Sequence, residues 1–189
     1  IPKKVKYWPT VRKCPKVKIT ASSANPYLKV INNDIYSKNG KVLYSVASTK
    51  TKYKVKKSVK EIEDGAFYKN DSIKSIYLPD SVKEIGEEAF GDMENLQSIR
   101  FSRSISELDY AMFNKCKKLK TVKLPKRIQT IRGNFGGKKN CYLKKIYINA
   151  VNLKKSNLKS LPKKCKVYVK SKNVKNQVKK AGFKGKVII

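Results

Sequence analysis

"SVKEIGEEAF", residues 81–90, is the stretch on which the fold turns. By itself it reads as a piece of amphipathic helix carrying a pair of carboxylates. One step upstream stands "SVKEIEDGAF", residues 58–67, where Ser, Val, Lys, Glu, Ile, Ala and Phe hold the same places 23 residues earlier. A fixed period of this size marks a repeat architecture, each copy being one supersecondary unit. The neighbours line up at once: "SIKSIYLPDSVKEIGEEAFGDME" (72–94), "NLQSIRFSRSISELDYAMFNKCK" (95–117) and "KLKTVKLPKRIQTIRGNFGGKKN" (118–140). "YLKKIYINA" (142–150) begins a further copy and then departs. "KYKVKKSVKEIEDGAFYKND", which starts within 52–55, supplies an earlier one.

The shared template is L-x-x-I-x-L-P-x-S-V-x-x-I-x-x-x-A-F. Its Ile-x-Leu alternation places two apolar side chains on one face of a short strand, as in Ile76/Leu78, Ile99/Phe101, Val122/Leu124 and Ile146/Ile148. Pro79 and Pro125 follow at once and stop that strand. The Val-x-x-Ile part (Val59/Ile62, Val82/Ile85, Ile105/Leu108, Ile128/Ile131) is a second extended or bent segment. The part ending in Ala-Phe predicts about one helical turn, with Phe67, Phe90 and Phe113 in one column and Phe135 a residue early in a Gly-rich copy. One such unit cannot bury its apolar face alone. Stacked copies bury it against each other, with a narrow parallel sheet advancing about 4.8 Å per copy.

At this point the residues carry a family likeness. The 23-residue spacing and the "LPxSVxxIGxxAF" signature resemble the BspA-like leucine-rich repeats of bacterial surface proteins, also called the Treponema pallidum type. The likeness is densest over about 55–150. "SSANPYLKVINNDIYSKNGKVLYSVAS" (22–48) is similar to a hairpin that this family places between repeats, and "CKVYVKSKNVKNQVKKAGF" (165–183) to its closing strand and short helix. The fold expected is an α/β repeat solenoid: a right-handed leucine-rich-repeat coil with a narrow parallel β-sheet, short helical turns, an N-terminal β-hairpin and a C-terminal strand–helix cap. It is read as a single domain over 1–189, with a strand and hairpin cap over 1–53, about four repeats over 54–150 and a cap over 151–189. The resemblance also implies a secreted or cell-surface bacterial protein. Family members have been linked to extracellular-matrix binding and to bacterial co-aggregation.

Details at the two ends agree with this. "KVKIT" (16–20) reads as a strand with Val17 and Ile19 inward. Asn39-Gly40 between Ile35-Tyr36 and Val42-Leu43-Tyr44 is a strong hairpin signal. "KVYV" (166–169) is a last strand. Ser171 is a suitable N-cap for a helix whose inner face carries Val174, Val178 and Ala181 and which Gly182 ends, and "KVII" is a final short strand or tail. Both ends read as finished, and the chain, beginning at Ile1 rather than Met, as a processed or excised piece with its targeting signals out of view.

Charge is the loudest compositional feature. There are 46 Lys and Arg against 13 Asp and Glu in 189 residues, a formal net charge of +33. Residues 1–60 hold 16 basic residues and only Asp34 among the acids; 61–109 hold 5 basic and 12 acidic; 110–189 hold 25 basic and no acid. Two cationic ends thus flank a mixed middle, a field that attracts polyanions in a salt-dependent way. The excess has two readings, a general lysine bias or a selected polyanion site, for which a wall polymer such as teichoic acid is the first candidate. Only 5 of the 46 are Arg, the residue favoured for bidentate phosphate and base recognition, which argues against specific nucleic-acid reading. No apolar run approaches the roughly 18 residues of a membrane span, so no membrane insertion is expected.

Residues between the inward strand positions point out of the sheet. They form the columns Ser75/Ser98/Thr121/Lys145 and Tyr77/Arg100/Lys123/Tyr147, extended at the ends by Lys16/Lys18 and Lys166/Tyr168. Concave sheets are the usual binding face of solenoids. Ser75, Tyr77, Arg100, Lys123, Lys145 and Tyr147 are therefore the candidate ligand-binding residues, the tyrosines to stack on sugar or peptide and the cations to hold an anion. The alternative is a solvated face on which Tyr is merely a good strand former.

Other chemistry is poorly supported. Glu61/Glu63/Asp64 and Glu87/Glu88 pair carboxylates as glycosidases do, but they recur with the period, next to a turn whose dipole favours them. Cysteine catalysis needs a partner base, usually His, and the chain has none. Cys14, Cys116, Cys141 and Cys165 form no CxxC pair, which disfavours zinc. Cys116 and Cys141 stand in neighbouring copies, either as buried free thiols or as an inter-coil bridge. "GNFGGKKN" (133–140) reads as a degenerate turn, or as a backbone anion cradle. No cofactor or metal is implied. The expectation is a non-enzymatic module that binds a host or bacterial surface macromolecule, protein or glycan, through the strand face. Polyanion binding and a passive spacer are the alternatives.

Overall fold

Alternation of apolar and polar residues at 52–54, 75–77, 98–100, 121–124, 145–148 and 166–169 recurs as one column of short strands. A computed structural model of the chain describes residues 1–6, 18–133, 135–136 and 141–189. It is a parallel β-solenoid of about six turns. The first column runs β4 (Lys52–Lys54), β6 (Ser75–Tyr77), β8 (Ser98–Arg100), β10 (Thr121–Leu124), β12 (Lys145–Ile148), β13 (Lys166–Val169) and β14 (Val187–Ile188). Hydrogen-bonded ladders join β4-β6-β8 and β10-β12-β13-β14, all parallel, while β8 and β10 lie side by side without one. The Val-x-x-Ile segments build a second column: β5 (Glu61–Ile62), β7 (Glu84–Ile85), β9 (Glu107–Leu108) and β11 (Thr130–Ile131). Its ladder is likewise open between β7 and β9.

The core lies between these two columns. Ile62, Leu78, Val82, Ile105, Leu124, Ile128, Ile146 and Ile148 are all buried. A spine of aromatic rings runs down the axis: Phe67 to Phe90 at 5.3 Å, Phe90 to Phe113 at 5.9 Å and Phe113 to Phe135 at 6.2 Å between centroids. Tyr53 extends the spine at its N-terminal end, 5.2 Å from Phe67 and edge-on to it. Offset and edge-to-face geometries of this kind add to what burial alone contributes.

The Ala-Phe turns have a construction that spacing did not announce. Within a turn, Ala66, Tyr68 and Asn70 donate N–H to Glu63, Gly65 and Phe67, the i→i+3 pattern of a 3₁₀ turn. The intervening groups point along the solenoid axis instead. Gly65, Phe67 and Lys69 donate to Glu87, Ala89 and Gly91 of the next coil at 2.9, 2.8 and 3.0 Å. Sharing the donors in this way needs left-handed backbone at one fixed place in each copy, Gly65 (φ 59°), Glu88 (φ 48°) and Ala111 (φ 48°). It recurs at a second place, Lys69 (φ 60°), Asp92 (φ 55°) and Lys115 (φ 53°). A side chain with a Cβ costs about 1–2 kcal/mol in that region, of which Gly returns part through its freer unfolded chain. Replacing Ala111 with Gly is therefore expected to stabilise the protein by about 0.5–1 kcal/mol. A denaturation midpoint below that of the wild type would show that the turn tolerates Ala without strain.

At the N-terminal end the Asn39-Gly40 turn joins β2 (Asp34–Ser37) to β3 (Val42–Ser45), with Gly40 at φ 73°. A further strand, β1 (Leu28–Ile31), pairs antiparallel with β2 through Asn32 (φ 52°) and Asn33 (φ 69°). Two left-handed residues are what a tight type I′ hairpin demands, and Asn tolerates them. β3 then pairs in parallel with β5, so this meander continues the second column. Residues 18–20 form no strand, contrary to the reading of 16–20; the Ile19 N–H donates to Asn33 Oδ1 at 2.9 Å instead. Lys16, Val17 and Cys14 lie outside the described residues, as do 134 and 137–140 of the Gly-rich stretch.

Asp34 is the polar centre of this end. It is buried, and its Oδ2 accepts from the Tyr53 hydroxyl at 2.6 Å. Its Oδ1 accepts from the Ala47 and Ser48 N–H groups, both at 3.1 Å. The Tyr36 hydroxyl lies 3.3 Å from that of Tyr53. At the other end, Ser171 accepts from the Val174 N–H at 3.2 Å and caps helix α1 (Lys172–Lys180), and Val174 and Val178 are buried beneath it. Gly182 follows at φ 91°, and β14 closes on β13. Among the described residues no helix is long and apolar enough to cross a membrane.

Candidate functional site

The outward side chains of the first column share one face, because parallel register fixes them in line. Ladders place Lys52, Ser75 and Ser98 opposite one another, and likewise Lys54, Tyr77 and Arg100. They do the same for Thr121, Lys145 and Lys166, and for Lys123, Tyr147 and Tyr168. Ser75, Tyr77 and Arg100 therefore sit together in one group and Lys123, Lys145 and Tyr147 in the next, the two separated only by the seam between β8 and β10. Lys166 and Tyr168 extend the face as the sequence predicts. Lys18 does not: it lies beside Val30, Asn32 and Asn33 at the β1–β2 turn, because no strand forms there to bring it into register. Lys52 and Lys54 take that place. The signal for them was present, since each stands one 23-residue period before Ser75 and Tyr77.

The tyrosine rings are arranged otherwise than stacking on a ligand requires. Lys54 Nζ lies 5.3 Å from the Tyr77 ring centroid and the Arg100 guanidinium carbon 4.5 Å from it. These two come from the strands on either side of β6, so both faces of Tyr77 are covered. Tyr147 is enclosed in the same manner by Lys123 Nζ at 5.7 Å and by the parallel ring of Tyr168 at 4.7 Å. The rings stand on edge like plates in a rack, offering hydroxyl and edge outward. Each cation gains a cation–π contact and keeps its charge at the surface. Strands β4, β6, β8, β10, β12 and β13 carry Lys52, Lys54, Arg100, Lys123, Lys145 and Lys166 and no carboxylate.

The second column carries carboxylates, beside Lys83 and with Arg132 paired to Glu107 at 2.7 Å. Glu61, Glu84 and Glu107 occupy corresponding places on β5, β7 and β9 and, with Glu63, Asp64 and Asp109, line a groove there. Partial burial raises the carboxyl affinity of Glu61 for its proton, with Glu84 and Asp64 adding to it; Glu63 is raised by burial and by Glu61 and Asp64. A turn that sends alternate N–H groups to the next coil builds less axial dipole than a full helical turn. Several carboxylates instead close coil junctions. Asp64, Asp71 and Asp80 each accept, through Oδ1, the backbone N–H one period ahead: Glu87 at 2.7 Å, Glu94 at 3.0 Å and Arg103 at 2.9 Å. Asp80 Oδ2 also accepts from Arg103 Nε at 2.7 Å, which lowers the carboxyl affinity of Asp80 for its proton. Asp92 Oδ2 lies 3.5 Å from Lys115 Nζ and 4.0 Å from Lys69 Nζ, the residues one period to either side.

Cys116, Cys141 and Cys165 are free and buried, so of the two readings of Cys116 and Cys141 the structure has the thiols. Burial pushes Cys116 and Cys165 up to about 12, which makes both poor nucleophiles. The Cys116 thiol donates to the Phe90 carbonyl at 3.0 Å.

A family model described as BspA type leucine rich repeat region matches residues 28–166 in 6 copies. Among solved structures, the chain is similar to the pneumococcal vaccine antigen PcpA, with 22% identity, a TM-score of 0.66, and coverage of 89% of this chain and 49% of that one. A leucine-rich cell surface protein from Faecalibacterium prausnitzii aligns with 24% identity and a TM-score of 0.63, over 94% of this chain and 42% of that one. A leucine-rich repeat protein from Eubacterium ventriosum aligns with 23% identity and a TM-score of 0.58, over 87% and 55%. At these identities the likeness is one of fold, and the chain spans about half the length of each of these proteins. No curated protein matches it.

Proposed function

The chain belongs to the BspA-type leucine-rich repeat family, and on that premise we propose that it is a non-enzymatic interaction module of a secreted or cell-surface bacterial protein. Its strand face contacts a protein or glycan of a host or of a neighbouring cell. The observation that carries this reading is the gathering of six cations and three tyrosine edges on strands that bear no carboxylate, while six of the carboxylates line a groove on the other column. The location is supported by the likeness to a cell surface protein and to a vaccine antigen.

The test is capture of matrix proteins, glycans and bacterial cells by the wild type and by a variant carrying Arg100→Glu and Lys123→Glu. Loss of a charge-assisted contact is worth about 1.5–3 kcal/mol, so binding is expected to weaken by roughly tenfold or more. A wild type that captures nothing across the panel would leave only the spacer. Diffuse attraction of polyanions, favoured by the net charge of +33, is the second reading. It is separated by salt, because binding that is all charge fades uniformly towards physiological ionic strength.

A further inference from the structure

We infer that the ligand of the strand face is an acidic polysaccharide, a chain of sugar rings bearing carboxylate or sulfate, lying along the solenoid axis across the strands. This rests on the reading above and names its ligand class. The cations follow the axis: from β8 to β13 each strand contributes one, Arg100, Lys123, Lys145 and Lys166 in turn, and β4 supplies Lys52 and Lys54. At about 4.8 Å per strand the row from β4 to β13 extends about 24 Å. Such a row matches an extended anionic chain and not a compact anion.

What lies between the cations selects among anionic chains. Ser75, Ser98 and Thr121 place hydroxyls at corresponding positions of three successive coils, and the tyrosines add phenol edges. Hydroxyls both donate and accept, as sugar hydroxyls do, whereas a bare chain of phosphates offers only acceptors. Single-stranded nucleic acid is bound by stacking bases on free aromatic faces. Here the faces of Tyr77 and Tyr147 are already covered by their neighbours. An acidic protein would seek a buried apolar anchor. On this face Tyr77, at 36% exposure, is the one exposed large hydrophobic residue among the described ones.

The experiment measures affinity at about 0.15 M salt for heparin, hyaluronan, neutral dextran, polyphosphate and oligothymidylate. Hyaluronan carries carboxylate alone and heparin both carboxylate and sulfate, so binding of hyaluronan shows that carboxylate suffices and binding of heparin alone assigns the sulfate. At least one of them is expected to bind about tenfold or more tighter than polyphosphate, and dextran not to bind. A variant with Ser98→Ala and Thr121→Val keeps every charge and is expected to lose several-fold in acidic-glycan affinity while its weak polyphosphate binding stays the same. Far-ultraviolet circular dichroism checks that it folds. Polyphosphate or oligothymidylate binding as tight as either glycan would overturn the inference, as would unchanged glycan affinity in the hydroxyl-free variant. If Arg100→Glu with Lys123→Glu abolishes capture of a matrix protein or cell while no acidic glycan binds, the ligand class is wrong and the strand-face reading stands. If nothing in either panel binds, both fall.

Discussion

Replacing Phe90 with Ala is expected to destabilise the protein by about 3–5 kcal/mol, a large share of the roughly 5–15 kcal/mol that holds a typical domain together. Phe90 is wholly buried and its ring contacts Phe67 on one side and Phe113 on the other, at 5.3 and 5.9 Å. Three contributions fall in the same direction: the transfer of the ring, the cavity left in a packed column, and two ring–ring contacts. A solenoid adds a fourth, because its stability is close to a sum of coils and their nearest-neighbour interfaces, and the hole opens two interfaces. Phe90→Leu refills most of the volume and is expected to cost less than half as much. Phe135, whose spine contact is Phe113 at 6.2 Å, should suffer less from truncation than Phe90. Chemical denaturation of the three variants checks the order. A loss of under about 1 kcal/mol for Phe90→Ala would mean that the spine is packed loosely enough to collapse.

Stability is also expected to fall as pH rises through 6, because of Asp34. Burial raises its carboxyl from the ordinary value of 3.8 to about 6, against the lowering effect of the Tyr53 hydroxyl, the Ser48 and Ala47 N–H groups and Lys50. Tyr36, the remaining titratable group of the cluster, is pushed up to about 12 by burial and stays a neutral phenol throughout this range. Folding thus favours the protonated acid. The contribution is fully present below the unfolded value of 3.8 and is lost as pH climbs through about 6. The difference of about 2 units corresponds to about 3 kcal/mol, an upper figure for a site that water reaches when the hairpin loosens. Asp34→Asn keeps an oxygen for the Ala47 and Ser48 N–H groups and removes the titration. Its melting temperature should match the wild type at about pH 3, below the unfolded value, and exceed it at pH 8. Glu61 and Glu63 act in the same direction, so the informative quantity is the wild-type profile minus that of the variant. Parallel profiles would show that Asp34 is ionised at no cost to the fold.

How far the sequence disclosed this molecule depends on whether a feature repeats. The strand columns and the Phe spine were legible because Ile76, Ile99, Val122 and their partners return at one spacing. The left-handed places in the turns were not. Gly65 signals one, but Glu88 and Ala111 hold the same conformation with side chains that disguise it. β1 was not legible in the sequence, because Asn32-Asn33 is a weaker hairpin signal than Asn39-Gly40. Asp34 looked like the lone acid of a basic stretch; its role depends on Tyr53, 19 residues away, and no period connects the two. At the candidate site, membership of the face followed from strand alternation. Ring orientation did not, since it is set by which side chains stand on the adjacent strands, and that altered the chemistry offered from ring stacking to edges, hydroxyls and cations.

The central claim is that the strand face makes the contact. It is tested most directly by comparing two variants of equal charge for whichever matrix protein, cell or glycan the wild type captures. One carries Arg100→Glu and Lys123→Glu on the strand face; the other carries Lys172→Glu and Lys180→Glu, exposed residues at the two ends of α1. Each lowers the net charge by the same amount, so diffuse attraction weakens equally in both. The strand-face variant is predicted to lose roughly tenfold or more in affinity and the helix variant less than about twofold. Equal losses would contradict the account and leave charge alone as the cause of binding.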